Sequence, residues 1–399
     1  MSYALSLTWS RAYRCCLLVL CALSFLGFLP TSAGAWQLDQ QWTRAVRPGV
    51  TFFHFRLTFE QGPAHLYMLQ IDPGAYYTIR PVIANNRIGS LAQVDRLARE
   101  VQAVAAINGG FFDTRGQHLP VGLIRIDYRY LFEQFLPRPV LGIDAGGKIH
   151  FATFALHSSL YLPDAEVTIP LSGYNRARKF GQVVAYSREF GASTRTNPWG
   201  REIVLRRVSP GEPSAGTSNL LGLRYLVTGE SAGDSVIPND GLVLSFHSRA
   251  LHEFRDQLSG LYPGTEIELR GNLPPGWEAF PHLLGGGPML LKDGAVVLDY
   301  ATERFKARMN HPASRTAVGL TSAGKIALIV IDRGEPAYSV GATWDQLALV
   351  GRDFLGLSEL MGFDGGGSST MFIEDRVVNR PSSGTPRAVA NILAVVPLR

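Results

Sequence analysis

Short apolar segments separated by turn residues follow one another along most of the chain. Runs of Val, Ile, Leu, Tyr and Phe alternate with Gly and Pro, which number 42 and 24. Such a pattern predicts many short strands joined by frequent turns. The predicted strands cover residues 51–59, 65–71, 203–208, 241–247, 266–269, 316–321, 325–331, 371–373 and 391–396.

Clear helical spacing of apolar residues occurs in two segments. The first follows Ser90 as far as Val101, and Gln93 stands three residues after the serine. The second follows Thr343, and Gln346 stands three residues after the threonine. A hydroxyl residue with Gln three positions later is the signature of a capping box. Both segments are therefore predicted to be amphipathic helices with capped starts.

The same series of features follows both predicted helices. An apolar strand at 103–107 leads into the glycine turn that starts at Asn108, and a strand at 360–363 leads into the turn that starts at Asp364. We take this as a hypothesis of two similar halves that bring both turns to one sheet edge, where ligands often bind. Chance similarity is an equally open interpretation. The predicted class is α+β, with strand-rich mixed sheets, a few packing helices and glycine loops that converge at one edge.

The first 35 residues have the layout of a secretory signal peptide. Arg11 and Arg14 precede an apolar run at 15–29, which is shorter than a membrane helix needs, and Ala33 and Ala35 provide small side chains for cleavage. We predict cleavage after Ala35, and an uncleaved N-terminal anchor is the alternative. The protein is accordingly expected to be exported, either to a periplasm or out of the cell.

Composition narrows the partners of the mature chain. Cys15, Cys16 and Cys21 are the three cysteines, and all lie in the predicted signal peptide, so disulfides and thiol chemistry are not expected afterwards. Removal of Arg11 and Arg14 with the signal peptide lowers the formal net charge from +5 to +3, which is too small and too scattered to predict nucleic-acid binding. No later apolar run is long enough for stable membrane insertion. These features do not define an oligomeric state.

We expect one domain over residues 36–399. Its N-terminal part, residues 36–58, carries no pattern that we can assign. The middle, at about residues 150–280, is strand-like and rich in Pro, Gly and Arg without a low-complexity linker. It is interpreted as an elaborated part of the same domain, and a separate β-rich insertion is the alternative.

The strongest candidate for chemistry is the glycine-rich turn at residues 364–370. Three glycines and three hydroxyl residues follow Asp364, and apolar segments flank the run, which argues against a flexible linker. Asp364 stands at the end of a strand that is expected to be buried. It is a candidate nucleophile, general base or hydrogen-bond partner for sugar hydroxyls.

Two further glycine turns are weaker candidates. Residues 108–113 place Asn108 and Asp113 around bare backbone whose N–H groups can face an anion. The competing interpretation is a tight turn in which Asn and Asp bond their own backbone. The Gly285-Gly286-Gly287-Pro288 run allows either close approach to a ligand or a rigid turn before a strand.

Three arginines next to apolar strand ends are candidates for binding phosphate. Arg315, Arg380 and Arg387 could each hold a phosphate through two parallel hydrogen bonds, although most arginines are merely solvated. The motifs of nucleotide-binding loops, serine-hydrolase elbows and zinc proteases are absent. No cofactor is required by these residues. A divalent cation such as calcium could be accommodated near Asp113 or Asp364, but no spacing demands one.

Taken together and in this order, the motifs resemble the phosphodiester glycosidase family. The matching stretches are residues 107–113, 174–178, 194–202, 237–241, 285–288, 314–319, 364–371 and 378–381. They cover most of the chain from about residue 59 onward. Asp332-Arg333-Gly334 departs from the Asp-Gly-Arg that is common in the family, so an arginine contact is displaced or lost there.

The resemblance implies an N-acetylglucosaminidase-like hydrolase with a carbohydrate phosphodiester as its substrate. Because a phosphate ester is a good leaving group, charge stabilisation can replace much of the general-acid help. We expect Asp364 or Asp113 to support attack at the anomeric carbon, while Arg315, Arg387 and backbone N–H groups hold the phosphate. The residues expected to bind substrate are Asn108, Gly109, Gly110, Gly286, Gly287, Arg315, Thr316, Gly365, Gly366, Gly367, Ser368, Ser369, Asn379, Arg380 and Arg387.

Two other functions remain open at this point. The first alternative is a non-catalytic protein that binds polysaccharide or assists exopolysaccharide assembly. The second is a phosphodiesterase that cleaves on the phosphorus side. The sugar, the group on the far side of the phosphate, and retention or inversion of configuration are not predicted, because they depend on distances between carboxyl groups that a sequence does not provide.

Overall fold

Strands dominate the protein, as the turn-rich apolar pattern predicts. The structure is a computed structural model that describes residues 36–208, 220–306 and 309–398. The predicted signal peptide and its cleavage site lie outside the described residues. The helices are α1 Val94–Glu100, α2 Ser248–Glu253, α3 Arg255–Leu258 and α4 Trp344–Asp353.

The strands are short and follow one another closely along the chain. The first thirteen are β1 Gln37–Arg47, β2 Val50–Phe59, β3 Gly62–Ile71, β4 Tyr77–Ile83, β5 Ala105–Asn108, β6 Ile124–Ile126, β7 Arg129–Phe132, β8 Arg138–Ile143, β9 Ile149–Phe154, β10 Ser158–Leu162, β11 Val167–Pro170, β12 Gly173–Tyr174 and β13 Val183–Tyr186. The next thirteen are β14 Gly200–Arg207, β15 Leu220–Ser231, β16 Gly241–His247, β17 Glu266–Gly271, β18 His282–Gly285, β19 Met289–Lys292, β20 Ala295–Val296, β21 Arg315–Thr321, β22 Ile326–Ile331, β23 Leu357–Gly362, β24 Met371–Ile373, β25 Arg376–Val377 and β26 Asn391–Pro397.

These strands form four sheets in the described residues. Sheet I has the order β1-β2-β3-β22-β21-β23-β19-β20, and sheet II has the order β11-β10-β17-β15-β14-β16-β13-β12. Sheet III is β7-β6-β18-β8-β9, and sheet IV is β25-β24-β5-β26-β4. Neighbouring strands pair antiparallel except β12 and β13, which are parallel. Sheet II is therefore a mixed sheet.

Sheets I and IV face each other across the main core. On β22, Leu328 and Val330 point into this core, while Ile329 points to the opposite face. On β26, Leu393 points into the same core and Ala394 points away from it. Because side chains alternate along a strand, a strand covered on both sides has an uninterrupted apolar sequence. This explains the apolar runs in β22 and β26.

A helix covers the outer face of each of these two sheets. Helix α4 packs Trp344, Leu347 and Val350 onto sheet I, and α1 packs Val94 and Leu97 onto sheet IV. The order of layers is α4, sheet I, sheet IV and α1, with sheet III closing part of the main core through residues such as Leu141 and Leu284. The arrangement leaves the strand ends of sheets I and IV next to each other.

The middle of the chain forms a sheet of its own. Sheet II runs from β10 to β17 and has a separate core that also includes Leu123, Val140 and Leu283 from around sheet III. Residues Trp36–Arg399 cluster as one compact unit. The previously unassigned residues 36–58 contribute β1 and most of β2 to the edge of sheet I.

The prediction of a strand-rich fold with several sheets and few helices is confirmed. The capping box at Thr343 is present, because Thr343 Oγ1 accepts from Gln346 N and Gln346 Oε1 accepts from Thr343 N. The predicted cap at Ser90 is wrong: α1 starts after Gln93 without a side-chain cap, and Ser90 Oγ accepts from Asn85 Nδ2 instead.

Candidate active site

The two glycine turns contact each other directly. Asn108 ends β5, and Asp364 follows β23 by two residues. Asn108 Nδ2 donates to Asp364 O at 2.7 Å, and Asp364 N donates to Gly109 O at 3.1 Å. The strands that lead into the turns belong to different sheets, IV and I. The turns therefore meet between two sheets. The hypothesis of two similar halves had placed both turns at the edge of one sheet.

Asn108 is the structural centre of this contact. Its side chain is fully buried, and its Oδ1 accepts from Thr316 Oγ1 at 2.8 Å and from Thr370 N at 3.1 Å. The Thr316 hydroxyl also lies 3.1 Å from Ser369 Oγ. All of these groups have partners inside the protein. Asn108, Thr316 and Ser369 thus clamp the turns together, and their predicted contacts with substrate have no direct support from this geometry.

Gly109 and Gly110 fit closely against neighbouring backbone and Asn391. Gly109 N donates to Asn391 O at 3.0 Å, and Gly110 N donates to Asn391 Oδ1 at 2.8 Å. A Cβ on Gly109 would collide with Asn391 Oδ1, and one on Gly110 would collide with Gly285 O. Glycine is required here for close packing, and both N–H groups are already occupied.

Asp364 carries the one carboxyl group in the turn at 364–370, and the pKa of this group is shifted. The residue is only partly accessible, and burial raises the pKa of its carboxyl group from 3.8 to about 6. The Ser368 hydroxyl, the Arg387 guanidinium and Gly365 N–H all favour the charged form and limit this rise in pKa. A carboxyl group with a pKa close to neutral can exchange a proton at physiological pH.

Arg387 packs against the glycines of this turn, close enough to the Asp364 carboxyl group to influence its pKa. A Cβ on Gly367 would collide with the Arg387 guanidinium, so only glycine lets the arginine lie against the turn. Gly366 has φ +60° and donates its N–H to Ser314 O at 2.9 Å. Among the described residues, Arg387 has neither a hydrogen bond nor an ion pair, and Ser368 Oγ is buried without a partner that meets hydrogen-bond geometry. Ser368 is fully buried, whereas the Arg387 side chain is exposed and accessible to a ligand.

Asp113 lies in a different environment. It is exposed, its Oδ1 accepts from Arg115 N at 3.0 Å, and its backbone N donates to Leu119 O at 2.9 Å. The carboxylate therefore stabilises its own loop, as Asp commonly does in turns. The structure does not bring Asp113 into the buried contact that surrounds Asp364.

The third glycine turn is a packing element. Gly286 N donates to Pro139 O at 2.9 Å, and Gly287 N donates to Gly362 O at 2.7 Å. A Cβ on Gly286 would lie 2.7 Å from Gly362 O, which is too close for any larger residue. These N–H groups are occupied by carbonyl oxygens, so the geometry gives Gly286 and Gly287 no contact with a substrate.

Arg315 points away from the turns. It is buried, its Nε donates to Ala342 O at 2.9 Å, and its Nη2 donates to Met309 O at 3.0 Å and to His311 O. Its guanidinium also lies 4.1 Å from the centre of the Trp344 ring. Because side chains alternate along β21, Thr316 faces the turns and Arg315 faces α4. The geometry therefore assigns Arg315 to structure and not to phosphate binding.

Asn379 and Arg380 belong to a second polar cluster next to the turn. Asn379 Nδ2 donates to Ser369 O at 3.1 Å and to Asp332 Oδ1 at 2.8 Å. Asp332 Oδ2 accepts from Arg380 N at 2.8 Å and from Tyr338 Oη at 2.7 Å. Burial raises the pKa of the Asp332 carboxyl group, and these hydrogen bonds oppose the rise. Asn379 is thus structural, whereas the Arg380 side chain is exposed.

Sequence reasoning missed three buried polar residues around the turns. Asn391 accepts hydrogen bonds from the N–H groups of the first turn, and Asp332 accepts hydrogen bonds within the second polar cluster. Glu303 accepts from Met289 N at 3.1 Å, and burial raises the pKa of its carboxyl group to about 7. A polar residue directly after an apolar strand was an available signal for Asp332. Nothing in the local sequence distinguishes Glu303.

No group of three or more His, Cys, Asp or Glu residues suited to a metal ion occurs in the described parts of the chain. The expectation concerning a divalent cation stays untested. Over the same residues, no helix is both long and apolar enough to cross a membrane.

The described residues define a strand-rich protein in which a partly accessible carboxyl group lies at a glycine turn where two sheets meet, and an exposed arginine lies against the same turn. Residues 222–396 match the family described as phosphodiester glycosidase. This match confirms the resemblance that the motifs indicated. Comparison with curated proteins found no matching sequence.

Solved structures share the fold across most of the chain. A hypothetical protein from Synechocystis has a TM-score of 0.70 and 22% identity, covering 90% of this chain. The present chain spans 64% of that protein. A protein of Burkholderia pseudomallei K96243 that is named as exported has a TM-score of 0.66 and 19% identity, covering 90% of this chain and 97% of its own. These identities are low, so the likenesses show the fold alone.

A weaker likeness involves the catalytic domain of zebrafish N-acetylglucosamine-1-phosphodiester alpha-N-acetylglucosaminidase, auto-inhibited by its pro-peptide. It has a TM-score of 0.48 and 16% identity, covering 90% of this chain and 88% of its own.

Proposed function

We propose that the protein is an exported hydrolase that breaks the glycosidic bond of a sugar-1-phosphodiester. The observation that carries the proposal is the Asp364 carboxyl group, whose pKa is raised to about 6 at a glycine turn that also packs against Arg387. The family match over residues 222–396 supports the same reaction class. The sugar and the group esterified to the far side of the phosphate are left open.

The reaction needs few protein groups. Water adds to the anomeric carbon as the bond from that carbon to the phosphate oxygen breaks. The products are the free sugar and a phosphate monoester, and the proton lost from water passes to the base. Because the departing phosphate carries its charge well near neutral pH, it leaves without a strong general acid.

Asp364 is assigned the role at the anomeric carbon. With a pKa near 6, a large part of the carboxyl group is ionised at neutral pH, so it can take a proton from water or attack the carbon itself. Asp113 is exposed and its carboxylate accepts a hydrogen bond from its own loop, so the geometry favours Asp364 over Asp113. Retention or inversion is decided by whether Asp364 acts as nucleophile or as base.

Arg387 is assigned to the phosphate. Its guanidinium is exposed, lies against Gly367 and has no ion pair among the described residues. A guanidinium matches the geometry of phosphate oxygens and stabilises the charge that grows as the bond breaks. The buried Ser368 hydroxyl favours the charged form of the Asp364 carboxyl group and so supports its role.

Export is proposed from two observations. The first 35 residues have the signal-peptide pattern described above, and the similar structure from Burkholderia pseudomallei K96243 carries the name of an exported protein. Expression in a bacterial host, followed by mass measurement of the mature N-terminus, tests this part. A protein that begins at Trp36 outside the cytoplasm agrees with the proposal, and a retained residue 1 contradicts it.

The reaction is tested with purified residues 36–399 and a panel of sugar-1-phosphodiesters. We expect free sugar and a phosphate monoester from the parent, and neither product from Asp364→Asn. Sugar 1-phosphate and an alcohol would identify a phosphodiesterase instead. Retained binding of a polysaccharide without turnover of any substrate would favour the non-catalytic alternative.

A further inference from the structure

Two arginines that form no ion pair in the described residues line a cavity next to the candidate active site. The cavity has a volume of about 750 Å³ and is lined by Arg333, Arg380, Glu335, Tyr338 and Asn379, together with residues 381, 382 and 384. In the described residues, neither Arg333 nor Arg380 forms an ion pair or a side-chain hydrogen bond, although Arg380 stacks on Tyr338. The cavity therefore presents two guanidinium groups whose hydrogen-bond donors are available.

Backbone contacts fix the main chain at both arginines, and an aromatic ring also contacts the Arg380 guanidinium. Arg380 N donates to the buried carboxylate of Asp332 at 2.8 Å, and the Arg380 guanidinium lies 4.6 Å from the centre of the Tyr338 ring. Arg333 N donates to Ser314 Oγ at 2.9 Å, and Arg333 pairs with Val340 in an isolated β-bridge. Because the Arg380 guanidinium is already positioned, it loses less conformational freedom when it binds an anion.

The charge of the cavity wall is positive. Among the described residues that line the cavity, Glu335 is the only carboxylate, against two guanidinium groups. Asp332 lies behind the wall, where its oxygens accept from Asn379, Tyr338 and Arg380 N. The wall is thus suited to an anionic group of modest size.

The cavity and the Asp364 turn share supporting residues. Ser314 O accepts from Gly366 N at 2.9 Å, while Ser314 Oγ accepts from Arg333 N on the cavity side. Asn379 lines the cavity and donates to Ser369 O in the turn. The cavity wall and the Asp364 turn are therefore adjacent and share the support of Ser314 and Asn379.

We propose that the cavity binds a second anionic group of the substrate, a phosphate or a carboxylate, through Arg333 and Arg380. This inference rests on the proposed function, because the first anionic group is the phosphodiester that is cleaved. The preferred substrates are accordingly polyanionic carbohydrates, such as chains with repeated phosphodiesters or with acidic substituents. Arg333 acts as the residue that selects the second charge.

A kinetic experiment measures this preference. Three sugar-1-phosphodiesters are compared, with a propyl, a 3-phosphopropyl or a 3-carboxypropyl group on the phosphate. We expect the parent to favour one or both of the anionic substrates over the propyl ester by about 10- to 100-fold in kcat/KM, as for a hydrogen bond to a charged group. The two anionic substrates distinguish phosphate from carboxylate.

Variants assign the preference to the cavity. Arg333→Gln and Arg380→Gln should each lower kcat/KM for the favoured anionic substrate by about 10-fold more than for the propyl ester, and Arg333→Lys should restore part of the difference. Arg188→Gln is the control, because Arg188 is exposed and distant in sequence from both turns. An equal preference in parent and Arg333→Gln, or no preference in the parent, overturns the inference. Circular dichroism checks that each variant folds.

A binding experiment separates this inference from the proposed function. Calorimetry compares propane-1,3-diol bisphosphate with propyl phosphate on the parent and on Arg333→Gln, without any turnover. Tighter binding of the bisphosphate that is lost in Arg333→Gln supports the cavity site even if no substrate is cleaved. Equal affinity for both compounds contradicts the cavity site even if sugar release confirms the hydrolase.

Discussion

The two glycine turns start from similar sequences and end in different environments. Each follows a helix and a buried strand, and each contains an aspartate. Asp364 lies at the junction of sheets I and IV, where burial raises the pKa of its carboxyl group to about 6. Asp113 is exposed on a loop and accepts a hydrogen bond from Arg115 N. Position in the fold, more than residue type, decides which carboxylate can do chemistry.

The path of the chain after each turn accounts for the difference. After Asp364 the chain makes one tight turn and enters the buried strand β24, so the carboxyl group is surrounded by protein. After Gly110 the chain passes outward through the exposed residues 113–117. The first turn instead contributes Asn108, which holds the second turn in place. One turn carries the carboxyl group to which we assign the chemistry, and the other turn supports it.

The largest expected effect separates the two aspartates by activity. Asp364→Asn should lower kcat about 100- to 10,000-fold, the usual range for loss of a positioned acid or base. Asp113→Asn should change kcat less than about threefold, because its carboxylate bonds only to its own loop in the structure. Steady-state rates of sugar release measure both. Equal losses in the two variants would remove the distinction between the turns.

Stability should depend on Asn108 in the supporting turn. Asn108→Ala is expected to lower the free energy of unfolding by about 3 kcal/mol, because it leaves buried partners such as Thr316 and Thr370 N–H without the Oδ1 acceptor. Urea unfolding followed by fluorescence measures the change. Asn239→Ala, at an exposed position, is the control and should cost under about 0.5 kcal/mol. A similar cost for both substitutions would contradict the clamp.

Removal of the Asp364 charge should stabilise the protein above pH 6. Its pKa is raised from 3.8 to about 6 on folding, so the parent loses stability as pH rises through this interval, and the uncharged Asn does not. We expect Asp364→Asn to gain about 1–2 kcal/mol over the parent between pH 4 and pH 7, with the partial exposure reducing the full effect. Thermal unfolding at several pH values tests the sign. A gain at low pH only would contradict it.

Arg387 should set the pH at which activity begins. If ionised Asp364 is the active form, kcat/KM rises with pH through about 6. Because Arg387 favours the charged carboxylate, Arg387→Gln should move this rise upward, on the order of one pH unit or less. The pH profile of the variant measures the shift. A downward shift, or no pH dependence near 6 in the parent, would contradict the assignment.

The smallest expected effect compares the starts of the two helices that precede the turns. Thr343→Ala should cost about 1 kcal/mol, because it removes a cap that is present in the structure. Ser90→Ala should cost under about 0.5 kcal/mol, because Ser90 does not cap α1. Chemical unfolding of both variants tests the difference.

Much of the fold could be predicted from local patterns. The predicted strands at 241–247 and 371–373 coincide with β16 and β24, because their turn residues and apolar runs are unambiguous. The capping box at Thr343 was equally clear. The similar pattern of Ser90 and Gln93 does not form a cap, because the chain between these residues is extended and Ala92 forms a β-bridge with Val389. The pairing of strands into four sheets depends on long-range contacts, and no local pattern encodes it.

The candidate site was predictable in part. Asp364 was singled out because a carboxylate after a buried strand and directly before three glycines is unusual, and its catalytic role stays a prediction. The orientation of the Arg315 side chain, away from the turns, was not predicted. Which residues of β21 face the turns depends on the register of that strand in sheet I. Asp332 and Asn379 meet although 47 positions separate them, and their contact could not be derived from either segment alone.

Hydrolysis in ¹⁸O-labelled water tests the central claim most directly. The account predicts that the parent places the label on the anomeric hydroxyl of the released sugar, because water attacks carbon, and that Asp364→Asn releases no labelled sugar. Label in the phosphate product would show attack at phosphorus and would contradict a glycosidase, even if the same two products were formed.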